Sequence, residues 1–190
     1  METPSTRTPT SGRTVVLGLG NPVLSDDGVG LAVVAALRRL LRADPIPGVD
    51  VLASTRAGFE LIDLLRDYGR AVLVDCLTLP EPQPGRVRRL GLDDFAGSSR
   101  LVNVHELSVG LAFQLAERMG IRMPTQVEIL AVEAADTLTI AESLTPAVQA
   151  AVDPLAHEIY KDLKRRAPAT EPPDTEDFRA RRAFYEPSTD

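Results

Sequence analysis

Tryptophan is absent from this sequence of 190 residues, and cysteine occurs only once, at Cys76. One cysteine forms no disulfide within the chain, so a secreted fold held together by internal disulfides is excluded. It also cannot supply the repeated cysteine spacing of a zinc finger or another thiolate metal site. Histidine occurs twice. Any metal site in this chain must therefore be built from carboxylate and imidazole ligands.

Long apolar runs and an excess of basic residues are also missing. No apolar run approaches the roughly 18 residues that a membrane span needs, and residues 1–13 lack the hydrophobic core of a secretory signal. We therefore expect no membrane span and a cytoplasmic location. The formal net charge is -6 and the pI is about 5.0, whereas a nucleic-acid-binding surface is typically basic. We expect no nucleic-acid partner.

The composition divides the chain into a central domain and two polar ends. Residues 1–12 are rich in Thr, Ser and Pro and are predicted to be a disordered lead-in. Residues 167–190 mix Pro with charges of both signs and are predicted to be a flexible tail. Residues 13–166 carry the apolar periodicity, and the hydrophobic content of 44% suits a single domain with an ample core.

Short Val-rich runs alternate with helical patterns along this domain. The runs are typical of strands buried on both faces of a parallel sheet and are Thr14–Leu19, Val49–Leu52, Ala71–Val74 and Val127–Val132, with Arg86–Leu90 as a polar edge strand. Apolar residues at three- and four-residue steps predict helices at Leu31–Leu41, Phe59–Leu65, His105–Met119 and Thr145–Arg166, with a break or kink at Pro154. The predicted class is α/β, a three-layer α/β/α fold in which helices cover both faces of a mostly parallel, doubly wound sheet.

Two acidic residues follow the first predicted strand, in the segment Leu17–Gly30. The glycines there resemble a dinucleotide-binding fingerprint, but Val23 stands at its third glycine position. Asp26 and Asp27 would also repel a pyrophosphate, so a metal ion or a cationic group is the better match. A plain structural role is the alternative, because acids in the first turn of a helix favour its dipole and Asp26 can be an N-cap.

Two further candidate residues lie elsewhere in the chain. Asp75 follows the strand Ala71–Val74, and His105 begins the third predicted helix. In a doubly wound fold both positions lie at the same edge of the sheet as Asp27, so the three side chains are predicted to meet. Two carboxylates and an imidazole form a ligand set for zinc or nickel, with positions left open for water or substrate. Without a metal, two close carboxylates would form an acid/base pair, and both interpretations predict hydrolysis.

The other candidate nucleophiles and ligands are weaker. Cys76 is predicted to point away from Asp75 and to pack in the core, because successive strand residues face opposite sides of a sheet. His157 lies in the final helix and is predicted to occupy the surface or the edge of the core. His105 itself has a plain alternative, a first-turn position in a helix capped by its neighbours. No G-x-S-x-G motif is present, so metal-assisted attack by water is the most economical mechanism that remains.

These residues resemble the pattern of the hydrogenase maturation endopeptidases, which trim the C-terminal extension from the large subunit of nickel-iron hydrogenases. The matching motifs are Gly18-x-Gly20-Asn21, Asp26-Asp27-Gly28-x-Gly30, Ala57-Gly58, Val74-Asp75, Pro84-Gly85, His105-Glu106-Leu107 and Leu144-Thr145-Pro146. The resemblance implies a metal-dependent endopeptidase in which Asp27, Asp75 and His105 are the catalytic residues and contact nickel.

The same resemblance implies that nickel arrives already bound in the substrate rather than as a permanent cofactor, and zinc or another divalent ion could substitute for it. The implied partner is the hydrogenase large-subunit precursor. We expect the protein itself to be a monomer. The sequence departs from the family pattern at Ala53, Arg56 and Ala134, which bears on substrate specificity more than on the three metal-contacting positions.

Two alternatives stay open at the level of sequence. A non-catalytic protein that checks for nickel or escorts the large subunit would use the same three residues for binding and would form no product. The segment Gly18–Pro22 also resembles the opening of the peptidyl-tRNA hydrolases. The catalytic His that follows it in that family is missing here, and the acidic balance does not suit an RNA-facing surface.

Overall fold

The computed structural model describes residues 12–55, 58–92 and 104–167, and its side chains from Val109 onward in the last range. Apart from Gly12 and Ala167, the predicted lead-in and tail lie outside the described residues, so the predicted domain boundaries stay predictions. Arg56 and the side chain of His105 also lie outside them. No helix within the described ranges has the length and apolar content needed to cross a membrane.

Within the described ranges, five strands form one sheet in the order β2-β1-β3-β5-β4. They are β1 (Thr14–Leu19), β2 (Val49–Ser54), β3 (Arg70–Leu77), β4 (Val87–Leu90) and β5 (Gln126–Glu133). All neighbouring strands are parallel except β4, which pairs antiparallel with β5 at the edge. The central strands β1 and β3 are buried almost throughout, as their Val- and Leu-rich sequences predict.

In the part of the chain that the structure describes, four α-helices cover the two faces of this sheet. They are α1 (Val29–Ala43), α2 (Glu60–Leu65), α3 (Val104–Arg118) and α4 (Pro146–Arg166). Residues of α1 and α4 share a core cluster with Val16, Val72 and Leu130 on one face. Residues of α2 and α3 share the other cluster with Leu17 and Leu73. The predicted three-layer α/β/α fold is confirmed.

Two details of the prediction are wrong. The strand β3 continues past Val74 to Leu77, so Asp75 lies inside the strand instead of following it. The reason is that β5 remains paired with β3 as far as Leu77, and Cys76 and Leu77 are fully buried. Of the predicted break or kink at Pro154, the break does not occur, because α4 is one continuous helix whose buried residues lie on both sides of the proline.

The strand order creates a crevice between the carboxyl ends of β1 and β3. The chain leaves β1 for β2 on one side and returns to β3 on the other, and such a switch point is where ligands bind in open α/β sheets. A Cβ on Gly30 would lie 2.2 Å from the carbonyl oxygen of Leu19 and 2.3 Å from that of Val74. Only glycine therefore lets the first turn of α1 pack directly on both strands at this crevice.

Candidate active site

Asp27 lies at the switch point, in a 3-10 turn (Ser25–Gly28) between β1 and α1. Gly20 permits this approach, because it has φ +141° and a Cβ there would lie 1.8 Å from the carbonyl oxygen of Asp27. The Asp27 carboxylate is half-buried. Its Oδ2 accepts the amide of Asn21 at 2.8 Å, and its Oδ1 accepts the thiol of Cys76 at 3.1 Å. The turn thus fixes the orientation of this carboxylate and keeps part of it accessible.

Asp75 lies on the neighbouring strand and is 2% exposed. Strand alternation places its side chain on the face of α2 and α3, since Leu73 belongs to that core cluster and Val74 and Cys76 belong to the other. Its Oδ1 accepts the amide of Cys76 at 2.9 Å. Cys76 therefore bonds both acids, Asp75 through its backbone N–H and Asp27 through its thiol.

The backbone of His105 is in the first turn of α3. The end of α3 leads into the amino end of β5, an order that fits the predicted place of the first turn of α3 at the carboxyl edge of the sheet. Its side chain lies outside the described residues. Among the side chains that the structure describes, no three His, Cys, Asp or Glu are grouped to hold a metal ion. The predicted triplet of Asp27, Asp75 and His105 remains a prediction.

Asp26 has a role that the sequence interpretation missed. Its carboxylate is fully buried, and the turn has no side-chain capping bond. It accepts four hydrogen bonds from distant residues, from the amides of Ala135 (2.9 Å), Asp136 (3.0 Å) and Thr145 (2.7 Å) and from the hydroxyl of Thr145 (2.9 Å). These bonds fasten the site turn to the segment after β5 and to the start of α4. No local sequence signal indicates that the carboxylate of Asp26 is buried and bonded to distant residues.

Glu133 is a second buried acid that the sequence interpretation did not single out as a site residue. It ends β5 with 0% exposure and accepts bonds from the Gln83 amide and from Arg88 Nε, the latter at 2.7 Å. Burial raises the pKa of Glu133, but these bonds and the charges of Arg88 and Arg86 outweigh burial and hold the pKa below its ordinary value. The bond from the Gln83 amide to Glu133 fixes the loop after β3 beside the crevice.

The two minor candidates lie where the sequence predicts. Cys76 is fully buried in the core, which confirms its packing role, and its contact with Asp27 is an addition that the sequence did not reveal. His157 is exposed on α4, with Nδ1 2.8 Å from the carbonyl oxygen of Asp153. This histidine takes no part in the crevice.

The fold and these acids define an α/β protein with a carboxylate-lined site at the switch point of its sheet. Comparison with known proteins gives the family. The model described as hydrogenase maturation protease (HycI) matches residues 31–162, a range that includes Asp75 and His105 and begins just after Asp27. The chain belongs to the hydrogenase maturation protease family. It is accordingly a peptidase and not a peptidyl-tRNA hydrolase.

Individual relatives agree with this assignment. The hydrogenase 2 maturation protease of Escherichia coli K12 is 28% identical over 155 residues, which cover 80% of this chain and 91% of that protein. The solved hydrogenase maturating endopeptidase HybD from E. coli shares the fold with a TM-score of 0.67 and 23% identity, over 80% of this chain and 93% of that one. The [NiFe] hydrogenase maturation protease HybD from Thermococcus kodakarensis matches with a TM-score of 0.58 and 25% identity, over 80% and 98%.

Proposed function

We propose that this protein is a nickel-dependent endopeptidase that removes the C-terminal extension from the precursor of a nickel-iron hydrogenase large subunit. Asp27, Asp75 and His105 contact the nickel, which enters the site as part of the precursor. The observation that carries the proposal is that Cys76 bonds Asp27 through its thiol and Asp75 through its backbone N–H, at the switch point of a chain from this protease family. Two oriented carboxylates at one crevice suit a divalent cation.

The accessible carboxylate of Asp27 suits a metal that is delivered by another protein. Its rotamer is fixed from two sides by Asn21 and Cys76, so little conformational freedom is lost when a ligand arrives. Asp75 is 2% exposed and supplies a second carboxyl group from the neighbouring strand. His105, from the first turn of α3, supplies the imidazole.

Nickel in the substrate polarises the scissile carbonyl or activates the attacking water. The residues of this chain orient the nickel. Because they bind the nickel itself, the protein selects the loaded precursor over the unloaded one. A precursor without nickel presents nothing for the two carboxylates to bind. Zinc or another divalent ion in the precursor substitutes if charge and geometry alone decide recognition.

Intact-mass spectrometry of the large-subunit precursor tests this function. The precursor is incubated with this protein in nickel-loaded, zinc-loaded and metal-free forms. We expect loss of one C-terminal peptide from the nickel-loaded form only, or from the nickel- and zinc-loaded forms. The variants Asp27→Asn and His105→Ala should abolish cleavage, whereas His157→Ala, which changes an exposed histidine remote from the crevice, should retain it.

Two results would contradict the proposal in different ways. Equal cleavage of the metal-free precursor would remove the nickel dependence and leave the peptidase. Tight nickel-dependent association without any change of mass would assign the protein to the class of non-catalytic nickel checkpoints for the large subunit.

A further inference from the structure

Exposed large hydrophobic side chains are concentrated at the edge of the sheet that carries the candidate site. Six occur among the side chains that the structure describes, and four of them lie in segments at the carboxyl ends of the strands. These four, with their exposed fractions, are Val23 (45%), Phe59 (65%), Leu138 (88%) and Ile140 (84%). Leu138 and Ile140 are therefore almost fully solvated, although each carries a large aliphatic side chain.

The segment that presents Leu138 and Ile140 is held in one conformation by its own hydrogen bonds. Asp136 Oδ1 accepts the amides of Leu138 at 2.9 Å and Thr139 at 3.0 Å. The bonds from Thr139 and Leu138 also hold the pKa of Asp136 below its ordinary value. The aliphatic side chains are thus displayed on a turn that is already ordered, which reduces the entropy lost on binding.

This segment is also joined to the turn that carries Asp27. The amide of Ser25 donates to the carbonyl oxygen of Ala141 at 2.8 Å, and the amide of Ala141 donates to that of Val23 at 3.1 Å. Asp26 completes the connection, because its amide donates to the carbonyl oxygen of Asp136 at 3.0 Å. Val23, Leu138 and Ile140 therefore belong to one hydrogen-bonded unit with the candidate site; we call these three side chains the rim patch.

We propose that the rim patch is the docking surface for the precursor protein, and that it binds an apolar surface of that protein next to the peptide bond that is cut. The inference rests on the proposed function. Its basis is continuity, because a protein that brings a metal to Asp27 must lie against the backbone unit that holds Asp27 and the rim patch together. Apolar side chains on an ordered rim supply affinity, and the accessible carboxylate of Asp27 supplies the recognition of the metal.

The kinetics of nickel-loaded precursor cleavage test this surface. The variants are Leu138→Ser, Ile140→Ser and the double change, and the matched control is Met119→Ser, which removes an aliphatic side chain that is 61% exposed just after the end of α3. We expect the double variant to raise KM by about tenfold or more, since each buried aliphatic side chain is worth about that factor in affinity. Its kcat should stay within about twofold of the original, and Met119→Ser should change neither constant.

The KM values, binding of the nickel-loaded precursor and sedimentation velocity of the same proteins together separate the other outcomes. Sedimentation velocity measures the oligomeric state and the binding. An unchanged KM in the double variant, with normal cleavage by the unaltered protein, rejects the docking surface and leaves the proposed function standing. If the unaltered protein binds the nickel-loaded precursor without cutting it, the proposed function fails, and loss of that binding in the double variant still supports the rim patch. Conversion of a dimer of this chain into monomers, with KM unchanged, would assign the patch to a second copy of the chain and overturn the proposal.

Discussion

At the scale of single residues, Cys76 connects the two acids of the candidate site. Its amide bonds Asp75 and its thiol bonds Asp27, and both bonds depend on the same backbone position in β3. A side chain at this position must fit a fully buried space and also donate to a carboxylate. One small residue thus meets two requirements, the filling of a buried space and the orientation of the Asp27 carboxylate.

Substitution of Cys76 separates these two requirements. Cys76→Val fills a similar volume without a donor, and we expect about a fivefold loss of kcat/KM for precursor cleavage because a bond worth about 1 kcal/mol no longer orients Asp27. Cys76→Ser keeps a donor and should stay within about twofold of the original. Thermal unfolding of both variants provides the control for folding. Equal cleavage by the valine and serine variants would show that the thiol only packs.

Asp26 and its neighbour Asp27 should respond differently to the same change. Asp26→Asn places an amide group against four donors in a fully buried space, and we expect the free energy of unfolding to fall by about 3 kcal/mol. Asp27 is half-buried and accepts bonds from two donors, so Asp27→Asn should lower the free energy of unfolding by about 1 kcal/mol or less. Urea unfolding monitored by circular dichroism measures both. Equal stability of the two variants would contradict the anchoring role of Asp26.

The sequence predicts Asp27 and Asp75 as site acids, but it does not indicate what Asp26 does. Asp27 and Asp75 stand at positions that the strand pattern places at the carboxyl edge. The function of Asp26 depends on amides that lie more than a hundred residues later in the chain. Those donors are backbone groups, which every residue type carries, so no letter of the sequence marks them.

At the scale of elements, the contact of α1 with the sheet depends on Gly30. The backbone of α1 approaches the carbonyl oxygens of Leu19 and Val74 so closely that a Cβ has no room. In α3, a Cβ on Gly110 would have no atom within 4 Å among the described residues outside its own helix backbone. The two helical glycines form a matched pair, one required by packing and the other free to change.

Alanine at these two positions should have opposite effects on stability. We expect Gly30→Ala to lower the free energy of unfolding by more than about 3 kcal/mol, since the displaced helix carries the site turn with it. Gly110→Ala should raise it by about 0.5–1 kcal/mol, because alanine has the higher helix propensity. Denaturant unfolding measures both variants. A Gly30→Ala protein of ordinary stability would show that α1 can move away from the strands at little cost.

Element types follow from the sequence more closely than element ends. Val-rich runs identified the four parallel strands, polar alternation identified the edge strand β4, and the apolar periodicity identified the four helices of the described residues. The ends of β3 and the continuity of α4 depend on tertiary contacts instead. Pairing with β5 extends β3 beyond its apolar run, and the buried residues Val152 and Leu155 keep α4 intact across Pro154.

At the scale of the whole molecule, the ion pair between the buried Glu133 and the partly exposed Arg88 makes the stability of the fold depend on acid pH. The pair joins β5 to β4 through Arg88 and to the loop after β3 through Gln83. The pKa of Glu133 is lowered from an ordinary value of 4.5, so the folded protein binds this proton more weakly than the unfolded chain. The contribution to stability is complete above 4.5 and is lost as the pH falls below it towards the lowered value.

Removal of this carboxylate should therefore cost stability in neutral solution only. We expect Glu133→Gln to unfold at a lower temperature than the original protein at about pH 7, and the difference to narrow as the pH falls below the ordinary glutamate value. Glu117→Gln, at an exposed position on α3, should show no such dependence. Thermal unfolding across this pH range is the measurement. A difference that stays constant at all pH values would mean that Glu133 contributes by shape rather than by charge.

The fold class follows from the sequence, whereas the strand order does not. Alternating strands and helices require a parallel sheet with helices on both faces, whichever strands are neighbours. The neighbours of β1 are decided by crossovers that leave no local pattern. The crevice between the carboxyl ends of β1 and β3 is consequently visible only once the order β2-β1-β3-β5-β4 is known.

The position of the acids at a switch point has a practical consequence. Asp27 follows β1 and Asp75 lies in β3, and these strands become neighbours only after the chain has completed the excursion through β2. A nascent chain or a fragment that ends before β3 contains the β1 side of the crevice but lacks the strand that forms its other side. Catalytic turnover in a preparation of this protein therefore counts the molecules whose sheet is correctly wound, and specific activity becomes a measure of folding yield.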